Sequence, residues 1–466
     1  MRWVIILVMS CLAFSRILQA QEEWNRETRI AIIGAGASGL TAAATLQRLG
    51  YPHVTVYEKE AKVGGKVYSV EHSGTVYEMG AFWAGNGYKT VDAFAQEYQL
   101  AFEPEEALFL VQYEGGAQVS LTRSLLHKHS PLAVALGYYH WQKVQKKFAS
   151  LREIGAFAEV RDPDLYLPFS RFVETYHIEV FAEAFRPFWV ACGYGYYEEV
   201  PALYVLKLML VSVDFQLSDL LSAFLPLGQK AEGGLRRAPQ GYQKLWEKVG
   251  EHLPDVRLGQ AVRQIERKDM DGRTQIEVIT AQGRETYDAL LISTEARATL
   301  AFLDTTAREL NLLQKVKTYR FLVHLFEADA VPYAAGSLVL QAQQAQPSRR
   351  GHVTALLNRA ELPNVWLSVQ TLRSEDSLDQ GTEILRQDLK ELGAQLGPVL
   401  KRIEWSYFPH VSEDDLRAGF YSQLEALQGQ RATYWIGGLM DFEAVENTAA
   451  YAQQLVQKHF TQISEP

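Results

Sequence analysis

The chain has 466 residues, 47% hydrophobic and 22% charged, with 46 Lys and Arg against 55 Asp and Glu, for a net charge of −9. That is an ordinary globular composition, long enough for two interleaved domains, and its acidic balance argues against nucleic acid as a partner. Of two cysteines, Cys11 lies in the leader described next, so the mature chain keeps Cys192 alone and forms no internal disulfide. Beside a glycine, Cys192 reads as a small buried residue, with a reactive thiol as the alternative.

Met1–Ala20 has the form of a signal peptide. Arg2 supplies the positive end, Trp3–Phe14 is an apolar core too short to span a bilayer, and Gln19-Ala20 precedes the cleavage point. The folded part is then exported, to the periplasm or beyond. An uncleaved N-terminal anchor and a lipoprotein acylated at Cys11 are the alternatives.

The apolar run Ile30–Ile33 predicts a buried parallel strand, Leu40–Leu49 a helix stopped by Gly50, and Val54–Tyr57 a second strand ending at Glu58. Between strand and helix stands Gly34-Ala35-Gly36-Ala37-Ser38-Gly39. Gly34 allows the tight turn, Gly36 lets the backbone approach a pyrophosphate, and Gly39 lets helix and strand pack closely. Glu58 is placed for the adenosine ribose hydroxyls. This is a dinucleotide site. Val63-Gly64-Gly65-Lys66 and Glu78-Met79-Gly80-Ala81 follow. They resemble the second glycine motif and the next flavin contact of the flavin-dependent amine oxidase superfamily, which makes FAD the expected dinucleotide.

Further on, Ala107–Tyr113 predicts a strand closed by Glu114-Gly115-Gly116. Pro131–Leu151 predicts a helix with apolar Leu132, Val134, Leu136 and Val144 and basic Lys143, Lys146, Lys147 and Arg152. A solvated helix face is the expected reading, and a peripheral contact on a membrane surface is the alternative. Tyr204–Val213 and Phe215–Leu225 are the most hydrophobic runs. Lys207, Asp214 and Asp219 interrupt them, so a lipophilic pocket or a core is expected rather than a membrane span.

The strand–turn pattern returns from Gly233 to Glu295, with strands predicted at Leu258–Arg267, Gln275–Thr280 and Asp288–Ser293. Phe321–Phe326, Ser337–Leu340, Val353–Leu357 and Trp366–Val369 suggest a second, antiparallel sheet, and Thr382–Leu396 an amphipathic helix. Ala432–Gly438 reads as a strand entering a glycine turn, and Asn447–Phe460 as the last helix.

Other chemistries lack footholds. Eleven histidines show no HxxxH spacing and no CxxC is present, so no metal site is expected. There is no GxSxG elbow. Glu198-Glu199 and Asp414-Asp415 read as surface charge.

Longer segments resemble a narrower family, the bacterial FAD-containing polyenoic fatty acid isomerases. They are Asp164–Phe169, Gly193-Tyr194-Gly195, Val200–Lys207, Tyr407–Ser412, Ala418–Tyr421 and Gln428–Tyr451, in order from about Arg29 to the C-terminus. The resemblance implies cofactor contacts at Gly34, Gly36, Ala37, Ser38, Gly39, Glu58, Lys59, Gly64, Gly65, Lys66, Met79, Gly80 and Ala81. It adds Val262 toward the adenine, and Gly437, Gly438, Met440 and Val445 at the closing turn. It implies that flavin N5 removes a hydride from the methylene between two double bonds and that the hydride returns at another carbon, leaving the bonds conjugated. No side chain is marked as catalytic, and Tyr194, Tyr196, Phe215, Tyr407 and Trp435 are the pocket candidates, with Tyr407 and Trp435 a candidate aromatic pair.

Two departures stand out. A fatty acid needs a cation for its carboxylate, yet Leu100–Ser120 holds neither Lys nor Arg, leaving Lys207 or Arg123 to substitute. The superfamily's closing Gly-Glu is Gly437-Gly438 here.

The expectation is an α/β chain with a Rossmann-like FAD-binding domain built on a parallel sheet (28–100, 228–300 and 402–466), interleaved with a smaller α+β substrate domain (101–227 and 301–401). The expected activity is isomerisation of a polyunsaturated fatty acid, or another small lipophilic substrate. An amine-oxidase-like oxidase or desaturase, and a non-catalytic flavin-binding redox sensor, are the alternatives.

Overall fold

The computed structural model of the chain describes residues 24–212 and 234–461. The expected leader with Cys11 and the run containing Phe215 lie outside the described residues. Strand β1 (Ile30–Ile33) is wholly buried, with parallel neighbours on both sides. Helix α1 (Ala37–Arg48) starts inside the glycine motif, three residues before the expected Leu40, because Ala37, Ser38 and Gly39 are small enough for its first turn. Gly50, at φ +91°, turns the chain out of it toward β2 (Val54–Tyr57). β3 (Ser69–His72) and β4 (Thr75–Glu78) form a hairpin. β5 (Ala84–Gly85), α2 (Lys89–Glu97), β6 (Glu103–Pro104), β7 (Leu108–Gln112) and β8 (Gln118–Ser120) follow.

A helical layer comes next: α3 (Leu121–Lys128), α4 (Pro131–Lys147), α5 (Phe169–Tyr176), α6 (Glu179–Ala191) and α7 (Ala202–Ser212). α4 crosses α6 at Gly137, where a Cβ would come within 3.2 Å of the Val180 side chain. Among the described residues no helix is long and apolar enough to cross a membrane.

β9 (Leu235–Arg237) joins β5 and β6 in a small sheet, and α8 (Gln243–Glu251) leads to β10 (Val256–Arg257). The strand expected over Leu258–Arg267 is broken. Residues 258–263 form a loop beside Glu58, and the strand resumes as β11 (Gln264–Met270), paired with β12 (Arg273–Ile279) and β13 (Arg284–Tyr287). β14 (Ala289–Ile292) is again fully buried.

β15 (Lys317–Asp329), β16 (Ser337–Gln341), β17 (Val353–Arg359) and β18 (Leu362–Leu372) contain all four strands expected for the second sheet, each longer than its apolar run. α9 (Leu378–Glu391) stops five residues short of the expected Leu396, since Gly393 takes φ +80° and the chain enters β19 (Gln395–His410). The seven-stranded sheet runs β19-β15-β18-β17-β16-β7-β8 and is antiparallel except where β7 lies parallel to β16. β20 (Thr433–Trp435) and α10 (Val445–Phe460) end the fold. The five-stranded sheet, β10-β2-β1-β14-β20, is parallel throughout, and α10 packs on α1 beside it. The fold is α/β, with a parallel sheet whose strands end at one edge.

Candidate active site

The glycine motif is held from beneath. The Gly34 amide donates to the Tyr57 carbonyl at 2.8 Å, and the Ala35 amide donates to the Glu58 carboxylate at 2.8 Å. Glu58 is buried, and its other oxygen accepts from the Glu60 amide at 2.9 Å. Its carbonyl accepts from the Gln260 amide at 2.8 Å, which brings the loop carrying Val262 alongside. Lys59, next to it, is exposed and paired with Glu60 at 3.7 Å.

Three glycines converge on Ser293, the residue after β14. A Cβ at Gly34, Gly39 or Gly437 would lie 3.4, 3.3 or 3.7 Å from its atoms, and at Gly39 also 2.0 Å from the Gly34 carbonyl oxygen. The second motif seals the first. The Gly64 amide donates to the Ala35 carbonyl at 2.8 Å, and a Cβ at Gly65 would press on Gly36 at 3.2 Å. The Ala81 amide donates to the Lys66 carbonyl at 2.9 Å, and a Cβ on Gly80 would overlap that oxygen at 1.9 Å. Met79 is fully buried, and its carbonyl accepts from the Trp405 indole at 2.7 Å.

These features fit a bound dinucleotide. The first turn of α1 has neither a side-chain cap nor an acidic residue, so its N–H groups face outward unneutralised. The Ser38 hydroxyl is buried there without a hydrogen-bond partner, and a buried orphan of this kind calls for a ligand acceptor such as a phosphate oxygen.

At the far end of the cradle, Gly437 takes φ +103° and the Met440 amide donates back to its carbonyl at 3.1 Å. A Cβ on Gly438 would meet Glu443 at 3.0 Å, so a glycine here leaves room for that acid. Glu443 lies just before α10, whose first residue is Val445. Its carboxylate accepts from Lys66 and from the Phe408 amide. Burial pushes the Glu443 carboxyl above its ordinary range, while Lys66 acts against that rise. Lys66 was expected here as a cofactor contact, but Glu443 and its pairing with Lys66 were not found in the sequence. Only the altered Gly437-Gly438 turn hinted that a different acid completes this end.

The Gly193-Tyr194-Gly195 loop follows α6. Both glycines need their freedom: each has φ +81°, and a Cβ would collide with the Phe321 ring at 2.7 Å or the Tyr319 ring at 2.3 Å. The loop delivers Tyr194 onto Tyr407 of β19. The rings stack at 5.6 Å and 23°, with hydroxyls 3.4 Å apart, and Lys66 Nζ lies 5.3 Å from the Tyr407 centroid. Phe408, Phe442 and Trp189 surround Tyr194. Burial lifts both tyrosine hydroxyls well above their ordinary range, so they stay protonated. It pushes the Cys192 thiol up to about 12, which leaves that sulfur inert.

Tyr407 is thus paired with Tyr194, not with Trp435. Trp435 sits on β20 in the parallel sheet, its indole N–H buried without a partner. Tyr196 turns away, its ring beneath the Arg350 guanidinium at 4.9 Å.

The proposed cation Lys207 is already committed. It is fully buried, bonded to Asp441 at 2.8 Å and to the Glu153 carbonyl at 2.7 Å. Asp441 also accepts from the Gly155 amide at 3.2 Å and the Asn447 amide group at 2.6 Å. Arg237 on β9 is different. It is half-buried, its Nε is shut from solvent without a partner, and its side chain has no hydrogen-bond or ion-pair partner among the described residues. It stands opposite Glu103 of β6, and its neighbour Arg236 pairs with Ala84 of β5, three residues after the Met79-Gly80-Ala81 contact. Sequence reading missed it because Arg236-Arg237 looks like any surface pair.

Comparison with known proteins agrees with this geometry. The family profile of flavin containing amine oxidoreductases matches residues 37–318. A polyenoic fatty acid isomerase of Ptilota filicina is 45% identical over 53 residues, only 11% of this chain and 11% of that protein. The FAD-dependent oxidoreductase oblC of Cochliobolus heterostrophus is 22% identical over 433 residues, 88% of this chain and 86% of its own. Among solved structures, the CLA-producing fatty acid isomerase from P. acnes superposes with a TM-score of 0.82 at 24% identity, covering 94% of this chain and 100% of that one. Putrescine oxidase with bound putrescine gives a TM-score of 0.65 at 16% identity, over 93% and 98%. With a family profile that spans most of the chain and a cradle of the right shape, this protein is a flavin-dependent enzyme and belongs to the flavin containing amine oxidoreductase family.

Proposed function

We propose that the chain is an FAD-dependent isomerase that conjugates the double bonds of a polyunsaturated fatty acid. When bound, FAD supplies a centre that accepts a hydride and gives it back. Ser38 and the α1 N-terminus hold the pyrophosphate, Glu58 the ribose, and Lys66 with Glu443 the far end of the cofactor. The protein's own part is to keep water out and to shelter positive charge on a hydrocarbon chain.

The observation that carries this reading is the Tyr194–Tyr407 stack. A cage for an alkylammonium needs two ring faces about 7 Å apart, twice a van der Waals contact of about 3.5 Å. These rings stand 5.6 Å apart, in contact with each other, so no cation fits between them. With Phe408 and Phe442 against Tyr194, and Phe321 stacked on Tyr407 at 5.4 Å, the pair instead belongs to an apolar aromatic cluster, which suits a hydrocarbon chain rather than an amine. Arg237 is assigned to the carboxylate of the substrate.

The test is to incubate the yellow protein with linoleic acid, recording conjugated-diene absorbance and oxygen uptake together. Diene growth without oxygen consumption is expected. Oxygen uptake with peroxide would make the enzyme an oxidase, and no change in either channel would remove fatty acids as substrates. In the same assay Arg237→Gln should raise KM by about 10- to 100-fold with the flavin spectrum unchanged. An unaltered KM would free Arg237 from this role.

A further inference from the structure

Helix α4 is buried on one side only. Val134, Gly137, Trp141 and Val144 face inward, toward α6. On the opposite side Leu132 is 80% exposed, Leu136 56% and Tyr139 54%. These positions, with Lys143 and Lys146, recur at the i, i+4, i+7, i+11 and i+14 spacing of a single helix face. The other large hydrophobic side chains exposed among the described residues, such as Leu108, Met270 and Val399, fall singly on separate elements. Isolated exposures of that kind are normal; a stripe is not.

Charge on this face is equally one-sided. Between Glu114 and Glu153 the sequence contains no Asp or Glu, yet it carries Arg123, Lys128, Lys143, Lys146, Lys147 and Arg152 in a chain of net charge −9. Lys147 is drawn back to Asp162 and Asp164 at 2.9 and 3.4 Å. Lys143 and Lys146 are exposed and form no ion pair with any described residue, Lys143 resting over the Tyr139 ring at 4.3 Å. The face therefore runs from apolar at the Pro131 end to cationic at the Lys147 end. That order complements a bilayer, with apolar side chains entering the acyl boundary and ammonium groups at the phosphates.

We propose that the exposed face of α4 docks the protein on a membrane surface bearing anionic lipid. Leu132, Leu136 and Tyr139 insert, and Lys143 and Lys146 hold the headgroups. Beside the apolar end, a cleft lined by Lys128, His129, Glu183 and Arg186 opens between α3 and α6. α6 runs from there to the loop that carries Tyr194. A docked enzyme would thus present that cleft next to the lipid, which suits a substrate taken from a bilayer. Docking does not depend on the reaction, so it is tested without turnover.

The experiment is sedimentation of the flavin-loaded full chain with phosphatidylglycerol-containing vesicles and with pure phosphatidylcholine vesicles. Wild type is compared with the Leu132→Asp/Leu136→Asp/Tyr139→Asp and Lys143→Glu/Lys146→Glu variants. All keep the same N-terminus, so a retained leader contributes equally, and retained flavin absorbance reports the fold. Binding preferring the anionic vesicles is expected, falling in raised salt. The aspartate variant should lose more than about tenfold, and each lysine change about fivefold. Equal binding by wild type and the aspartate variant, or no binding by wild type, would overturn the proposal. A wild-type dimer that the aspartate variant dissociates, without vesicle binding, would also overturn it and assign the face to a second copy of the chain.

Discussion

Glu78 shows how a single side chain can be set by its surroundings. It directly precedes the Met79-Gly80 contact, is almost wholly buried, and accepts from the Tyr242 amide at 2.8 Å and the Ser69 hydroxyl at 2.6 Å. Burial raises its carboxyl from an ordinary 4.5 to about 7, with Arg359 acting only weakly against this. A raised acid stabilises the fold fully below the unfolded value and loses that contribution as pH climbs through the folded one. From pH 5 to pH 8 the wild type should therefore lose up to about 3 kcal/mol that Glu78→Gln keeps. Parallel melting curves for the two proteins across that range would show that Glu78 is ionised throughout. The sequence marked Glu78 as part of a cofactor motif, but its protonation depends on packing that no motif encodes. Tyr407 is a similar case: it was recognisable as a pocket residue, whereas its partner depends on the register that sets Tyr407 opposite Tyr319 on β15 and on the tight Gly193-Tyr194-Gly195 loop.

Among elements, α1 is the one whose N-terminus serves the cofactor. Ser38→Ala removes a hydroxyl that has no partner among the described residues, so the apo form should melt unchanged, within about 0.5 kcal/mol. Flavin retention should weaken by about tenfold, from the loss of one hydrogen bond to a charged group. A drop in apo stability with unchanged retention would give the hydroxyl a purely internal role. β1, α1 and β2 were legible almost to the residue, since buried apolar runs between glycines permit few other structures. β19 was not. Up to Tyr407 its residues are half-buried or exposed in no regular order, they carry Lys401, Arg402 and Glu404, and the strand includes Pro398 and Pro409, so neither periodicity nor hydrophobicity marks the longest strand described. The helix expected to reach Leu396 overran for the same reason, because its apolar spacing continued past Gly393.

At the scale of the molecule, the buried Lys207–Asp441 pair fastens the helical layer to the turn that closes the cofactor cradle. Burial pulls the Lys207 ammonium below its ordinary range, and Asp441 restores much of the loss. Lys207→Met should cost about 3–5 kcal/mol because it strands the Asp441 charge. Adding Asp441→Asn should recover much of that in thermal melts, whereas strictly additive losses would show that the two groups act independently. The convergence of Gly34, Gly39 and Gly437 on Ser293 has a consequence for the order of synthesis. The flavin pocket needs β20, so it cannot exist on the ribosome until Trp435 has emerged. At roughly 5–20 residues per second that is about 20–90 s after initiation. The cofactor consequently meets a nearly finished polypeptide, and once β14 has emerged the earlier part of the chain waits as a parallel sheet missing its last strand.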